Sequence, residues 1–285
     1  MTADAARWAA AAAWAGQHAL GLYAGSLALL LSACLGSGWL STRQAPGARE
    51  AAGSGRALRN GLVVLAVAVA LFAATAWQLR ANPALSAADL AFLQALQPTV
   101  SAPVRQLFAG LTHAADTATL TALALAGTIA LLLRRQAGLA AGWALAIAGN
   151  GLLNTTLKLG FGRLRPPQLD GVLAEPGLSF PSGHSSGAVV AYGMAAYLAL
   201  RLLPPRWHLP ALMLASALAL SIGASRLVLQ VHFPSDVLAG FASGTAWLAL
   251  CITVLAGTRR RPTSSGGAAQ PRGRPGLPKL DPPVR

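Results

Sequence analysis

Charge is scarce in this chain. Only 11% of its 285 residues are Asp, Glu, Lys or Arg, against about 25% in a soluble domain, while 54% are hydrophobic. That balance excludes a soluble globular protein and predicts an all-α, multi-spanning transmembrane helix bundle, because helices satisfy their own backbone groups in lipid. Acidic side chains number eight and histidines five. They are spread too thinly for a closed ligand set, so no metal and no cofactor is expected. The two cysteines, Cys34 and Cys251, both fall in apolar runs. They read as buried thiols, and with no loop cysteine the compartment is not legible from disulfides. No basic-aromatic module accompanies the net charge of +14, much of which lies in loops and a short tail. No nucleic-acid partner is therefore expected; the partners are membrane lipids. There is no sequence repeat, and the N-terminus, with one arginine and no cleavage context, reads as a retained helix.

What the chain has is apolar runs of spanning length. A span needs about 20 residues. Runs of this kind lie near 19–40, 61–79, 117–133, 138–157, 183–203, 209–225 and 236–256. Residues 8–18, with Trp8, Trp14 and His18, either extend the first span or lie at the interface. The polar, Arg-containing stretch 41–60 reads as a flexible loop. Ser86 and Asp89 form a capping box before Leu90, Phe92 and Leu93, which predicts a short helix lying on the membrane. The tail 258–285, rich in Pro, Gly and Arg, reads as disordered. Three parts follow: an N-terminal helix and loop (1–60), a core (61–257) and a basic tail (258–285).

Fifteen of the 22 lysines and arginines fall at 41–60, at 134–135, at 201–206 and in the tail. The positive-inside rule makes that side cytoplasmic. Four of the other seven are Lys158, Arg163, Arg165 and Arg226. They belong to segments opening on the opposite face, periplasmic or extracellular, of a cell (inner) membrane.

Three pieces of 158–236 concentrate the chemistry. Lys158 and Arg165 are about two helical turns apart, but Gly160, Gly162 and Pro166 end the helix between them. Pro181, Ser182, Gly183 and His184 read as a turn opening a helix, whose N–H groups and dipole suit an anion. Ser225 and Arg226 precede His232 by six or seven residues, Pro234 suits a first helical turn, and Asp236 lies four residues beyond His232, close enough to orient its ring. Charges in a membrane are costly and usually functional or paired. A lone arginine here reads more readily as an interfacial anchor; three cations flanking two histidines do not.

These residues resemble the phosphatidic acid phosphatase type 2 family. Its motifs are a lysine, six residues, then Arg-Pro; Pro-Ser-Gly-His; and Ser-Arg, five residues, His, three residues, Asp. All occur intact and in order, and the resemblance covers roughly 61–256. It implies a six-helix core, here with an extra N-terminal helix. It also implies a metal-independent lipid phosphate or diphosphate phosphatase. His232 would be the nucleophile that forms a phosphohistidine, with Asp236 holding its tautomer. His184 would be the general acid and later base. Lys158, Arg165 and Arg226 would bind phosphate oxygens, helped by Ser182 and the Gly183 N–H. The substrates the family implies are undecaprenyl diphosphate, phosphatidic acid or phosphatidylglycerol phosphate.

The blander readings apply elsewhere. His18, His113 and His208 read as satisfied structural histidines, and Asp89 and Asp116 as caps or surface residues. Gly151, Asn154 and Thr155 read as helix-packing positions. Asp170 and Glu175 are weaker candidates for substrate contact. A phosphotransferase would use the same intermediate, and a non-catalytic lipid transporter could use the same scaffold; both stay open, as do the lipid and the oligomeric state. The charge split itself is testable. A reporter fused after Arg261 should report cytoplasm and one in the 167–180 loop the outside; the reverse pair would invert the orientation.

Overall fold

The computed structural model describes residues 3–43, 53–167 and 177–258. The tail expected to be disordered, Asp170 and Glu175, and part of the 41–60 loop lie outside the described residues. Those described form an all-α protein with no strand among them: α1 (Ala3–Gln17), α2 (Ala19–Arg43), α3 (Gly53–Ala81), α4 (Pro83–Leu96), α5 (Ala102–Thr112), α6 (Thr117–Leu133), α7 (Ala137–Phe161), α8 (Gly183–Leu202), α9 (His208–Val228) and α10 (Pro234–Thr258). The seven expected spans each fall on one helix, α2, α3 and α6 to α10.

By length and composition, four segments are apolar enough to cross a membrane: 19–36, 58–81, 205–228 and 234–257. A fifth arises if α5 with its following turn and α6, bent by 44°, make one broken span. This is fewer than the seven expected. α7 and α8 have the length, 25 and 20 residues, but carry polar side chains toward the interior. Asn150 and Asn154 on α7 and Ser185 and Ser186 on α8 are buried, and such residues lower the mean apolarity of a helix whose outer face is lipid-like. The surface shows that face: Leu29, Trp77, Leu133, Leu152 and Leu159 are all more than 70% exposed, while Arg226, His232 and Asp236 are buried. Apolar outside and polar inside is the arrangement of a multi-pass membrane protein.

Three details depart from expectation. Residues 8–17 do not extend α2; they belong to α1, which packs along α4. Gly16 permits the approach, since a Cβ there would fall 2.3 Å from the Phe92 carbonyl. The short helix begins at Pro83, capped by Asn82, whose side chain accepts from the Ala84 N–H at 3.0 Å. A good cap followed by Pro at the first helical position outcompetes the Ser86 box three residues downstream, so Asp89 becomes an interior position, 3% exposed. Helix α3 starts at Gly53 rather than near residue 61. Cys34 and Cys251 are half-buried thiols that form no disulfide.

Small residues bring the later motifs together. Gly240 and Gly244, one turn apart on α10, face the start of α8: a Cβ would lie 2.6 Å from the Ser182 carbonyl at the first and 2.8 Å from the Ser186 carbonyl at the second. This close approach is the small-residue packing of membrane helices. It lets the Ser182 N–H donate to the Asp236 carbonyl at 3.0 Å. A Gly240→Ala substitution should therefore destabilise the bundle by roughly 1–3 kcal/mol, read as a lower unfolding temperature in detergent. Gly151→Ala, where nothing lies within 4 Å, should leave it unchanged.

Candidate active site

Each motif ends or begins a helix, for identifiable reasons. Helix α7 stops at Gly162, which takes φ +62° and donates its N–H to the Lys158 carbonyl, a conformation that suits glycine. Lys158 thus occupies the last helical turn, while Arg163 and Arg165 follow in irregular chain. Ser182 is the N-cap of α8, accepting from the Ser185 N–H. Between α9 and α10 the chain turns at Gln230, φ +58°, whose side chain donates to the Leu93 carbonyl of α4 at 2.8 Å. Val231 N–H folds back to the Arg226 carbonyl at 3.1 Å, and Pro234 opens α10.

These ends converge on a cavity of about 880 Å³, lined by Lys158, Arg165, Gly183, His184 and His232 among others. Ser182, Arg226 and Asp236 are completely buried and stand outside the lining. The Ser182 hydroxyl is engaged within α8, where it accepts from the Ser185 N–H and lies 2.9 Å from the Ser185 hydroxyl. Arg226 donates to the Thr112 hydroxyl at 2.6 Å. Lys158 donates to the Leu178 carbonyl at 2.6 Å.

His232 is held from both ring nitrogens. Arg165 donates to Nε2 at 3.3 Å and to the Val231 carbonyl at 2.9 Å. Nδ1 lies 3.4 Å from Asp236 Oδ2 and 3.2 Å from the Ser179 hydroxyl, which itself donates to Asp236. This network fixes the Nδ1–H tautomer, leaving the Nε2 lone pair on the Arg165 side. Burial pushes the His232 pKa down to about 4, opposed by Asp236 and reinforced by the charges of Arg165 and Arg226. The ring is therefore neutral at neutral pH, as a nitrogen nucleophile must be.

Asp236 is secured from the far side by Arg163. One guanidinium nitrogen donates to Asp236 Oδ1 at 2.6 Å and to the Ser235 hydroxyl at 2.8 Å; the other donates to Asp89 at 2.7 Å. Ser235 donates to Asp89 through its hydroxyl and, at 3.1 Å, through its N–H. The Arg163 guanidinium also stacks 4.2 Å over the Phe233 ring. Asp89 is thus neither cap nor surface residue but the buried end of a chain running His232, Asp236, Arg163, Asp89.

Asp116, also read as a cap or surface residue, sits at the cap position of α6 but makes no side-chain cap bond. Its Oδ1 accepts from His184 Nε2 at 2.9 Å and its Oδ2 from His113 Nδ1 at 2.7 Å. His18 and His208 behave as expected, bonded to the Trp14 and Leu203 carbonyls. Gly151, Asn154 and Thr155 all line the cavity, and Asn154 also packs, with its amide at 3.4 Å from the Ser186 hydroxyl. The missed residues left faint signals. Arg163 is a third cation inside the first motif, and Asp89 and Asp116 are two of only eight acids. Nothing marked Ser179.

Against known proteins, residues 137–260 match the PAP2 superfamily. That stretch is α7 to α10 and holds all three motifs. Residues 137–260 are thus the PAP2-like stretch, here called the PAP2 segment. The chain is 39% identical over 95 residues to phosphatidylglycerophosphatase B of Bacillus subtilis (strain 168), covering 33% of this chain and 46% of that protein. It is 35% identical over 115 residues to lipid A 1-phosphatase of Rhizobium johnstonii, covering 37% and 43%. The matches thus span less than half the length of these curated relatives. A crystal structure of a transmembrane PAP2 type phosphatidylglycerolphosphate phosphatase from Bacillus subtilis superimposes with a TM-score of 0.61 at 26% identity, over 71% of this chain and 98% of that one. The superposition extends well beyond the PAP2 segment.

Removing Arg163 would strand two buried carboxylates. Breaking a buried pair costs roughly 3–5 kcal/mol, so Arg163→Ala should lower the unfolding temperature sharply, and Asp89→Asn less so. An Arg163→Ala protein as stable as wild type would contradict the clamp.

Proposed function

We propose that this protein is an integral membrane phosphatase acting on a lipid phosphate or diphosphate through a phosphohistidine intermediate. The observation that carries the reading is the state of His232. It is a neutral imidazole at a cavity wall, its Nε2 beside Arg165 and its Nδ1 tied to a buried carboxylate. His232 Nε2 attacks phosphorus. Lys158 and Arg165 at the wall hold the phosphate oxygens, and the positive charge of Arg226 behind it helps to offset the charge developing on them. The Gly183 N–H at the first turn of α8 adds a donor, and Ser182 shapes that turn. His184 protonates the leaving oxygen, then takes a proton from the water that hydrolyses the phosphoenzyme. With cations supplying the electrophilic assistance, activity is expected to persist in excess EDTA.

The cavity also suits the substrate class. From the cationic end it continues between α6 and α7 past Leu120, Leu125, Ile129, Ala144, Ile147 and Ala148. Leu120 to Ile129 spans roughly 14 Å of helix, room for a hydrocarbon tail beside a phosphate. The relatives' names, a phosphatidylglycerophosphatase and lipid A 1-phosphatases, favour a lipid phosphate monoester. The charge split favours a site on the periplasmic or outer face. A transporter on this scaffold would use the cations but would have no need of a tautomer-locked imidazole. A phosphotransferase differs only in the acceptor of the phosphate.

The two histidines should fail differently. His232→Ala should be inactive on every substrate. His184→Ala should keep proportionally more activity on an aryl phosphate, whose leaving group needs little protonation, than on a lipid phosphate, where general acid catalysis is worth about 10²–10⁴-fold. Phosphate release from both substrates by both variants reads this directly. Equal losses for His184→Ala on the two substrates would remove its role as acid.

A further inference from the structure

Asp116 lies outside the three motifs and outside the PAP2 segment, yet it touches one of the two histidines of the site. We propose that Asp116 is a positioning residue for the proton transfers at His184, holding the ring through Nε2 so that Nδ1 faces the reaction. The proposal rests on the phosphatase reading above.

Three observations carry it. First, the backbone of Asp116, φ −61° and ψ 149°, is that of a helix cap. A cap carboxylate normally accepts an N–H of the first turn, but this one makes no such bond. Both its oxygens go instead to imidazoles, Oδ1 to His184 at 2.9 Å and Oδ2 to His113 at 2.7 Å. Second, the turn bearing Asp116 is fastened to the helix bearing His184. Tyr192 of α8 donates to the Ala114 carbonyl at 2.7 Å, and Thr119 donates to the His113 carbonyl at 2.7 Å. The Tyr192 bond ties the turn to α8, and the Thr119 bond braces the turn against α6. Third, the partners differ in exposure: the His184 side chain is 18% exposed and that of His113 73%. The contact with His184 is the better shielded of the two.

The other titratable or charged groups near this contact are His113, Tyr192 and, around the same cavity, Lys158, Arg165 and His232. All but Tyr192 and neutral His232 are cationic or can become so. Asp116 is thus the group that favours a proton on His184 against this background. In the first step, doubly protonated His184 gives its Nδ1 proton to the leaving oxygen as the P–O bond breaks. It keeps Nε2–H on Asp116 and is left with an Nδ1 lone pair. In the second step Nδ1 takes a proton from the attacking water as the P–N bond breaks, restoring the starting state. Asp116 stays ionised throughout.

The test uses the full chain in lipid nanodiscs, with a lipid phosphate and an aryl phosphate assayed between about pH 5 and 9. Asp116→Asn should lower kcat on the lipid phosphate on the order of tenfold or more and lower it on the aryl phosphate much less. KM should change less than about twofold. The alkaline limb of the lipid rate should move to lower pH by about one unit, the usual scale for loss of an adjacent opposite charge. In a His184→Ala background the same change should cost nothing further. His113→Ala, which removes the second hold on the carboxylate without touching His184, should reduce the lipid-to-aryl rate ratio to a smaller extent, and it serves if Asp116→Asn does not fold. An unchanged lipid-to-aryl ratio and pH limb in an active Asp116→Asn protein, or in His113→Ala where the first does not fold, would overturn the inference while leaving the phosphatase reading intact. A wild-type protein that releases phosphate from no lipid phosphate would overturn both.

Discussion

A single guanidinium between two buried carboxylates organises the reactive end of this bundle. Arg163 bonds Asp236 on one side and Asp89 on the other, and both acids are almost fully buried. An isolated ion in such surroundings is very costly, whereas a charge with partners on every side is tolerable. The network therefore constrains three segments at once. α4 must present Asp89, the chain must leave α7 at Gly162, and α10 must begin where Asp236 reaches both Arg163 and His232. Asp236, so fixed, can hold only one nitrogen of His232, which makes a tautomer choice out of a packing requirement.

The same constraint accounts for the polar side chains buried beside the cavity. A bundle in lipid places its polar side chains inward. Here the inward faces of α7 and α8 are spent on Asn150, Asn154, Ser185 and Ser186, and Gly240 and Gly244 bring α10 against α8 with no side chain between. The result is a close-packed wall beneath a cavity that is cationic at one end and largely apolar along its length. Two histidines meet that cavity with different supports: His232 rests on the buried ion chain, and His184 on a carboxylate nearer the surface.

Much of this was legible in the sequence because the relevant signals are local. Helix ends at Gly162, Ser182 and Pro234 follow from residues adjacent to them, and the apolar runs mark the helices. What was not legible depends on which distant groups meet. Asp89 sits in a good local pattern for a cap, and only the stronger Asn82–Pro83 start turns it inward. Asp116 occupies a cap position, so nothing local reveals that its oxygens go to His184 and His113. Arg163 was visible as a charge but not as a clamp, since both its partners lie more than 70 residues away in the chain. Counting spans by apolarity fell short of the seven apolar runs for a related reason: a helix that serves a polar site dilutes its own signal.

We propose that His232, neutral and held by Asp236, becomes covalently phosphorylated. The most direct measurement is to quench the purified protein within milliseconds of mixing with radiolabelled lipid phosphate and map the label by proteolysis. A phosphohistidine is expected, labile to acid and stable to base, on the peptide containing His232 and absent from His232→Ala. Label on another residue, or rapid lipid turnover by His232→Ala, would contradict a phosphoenzyme at His232.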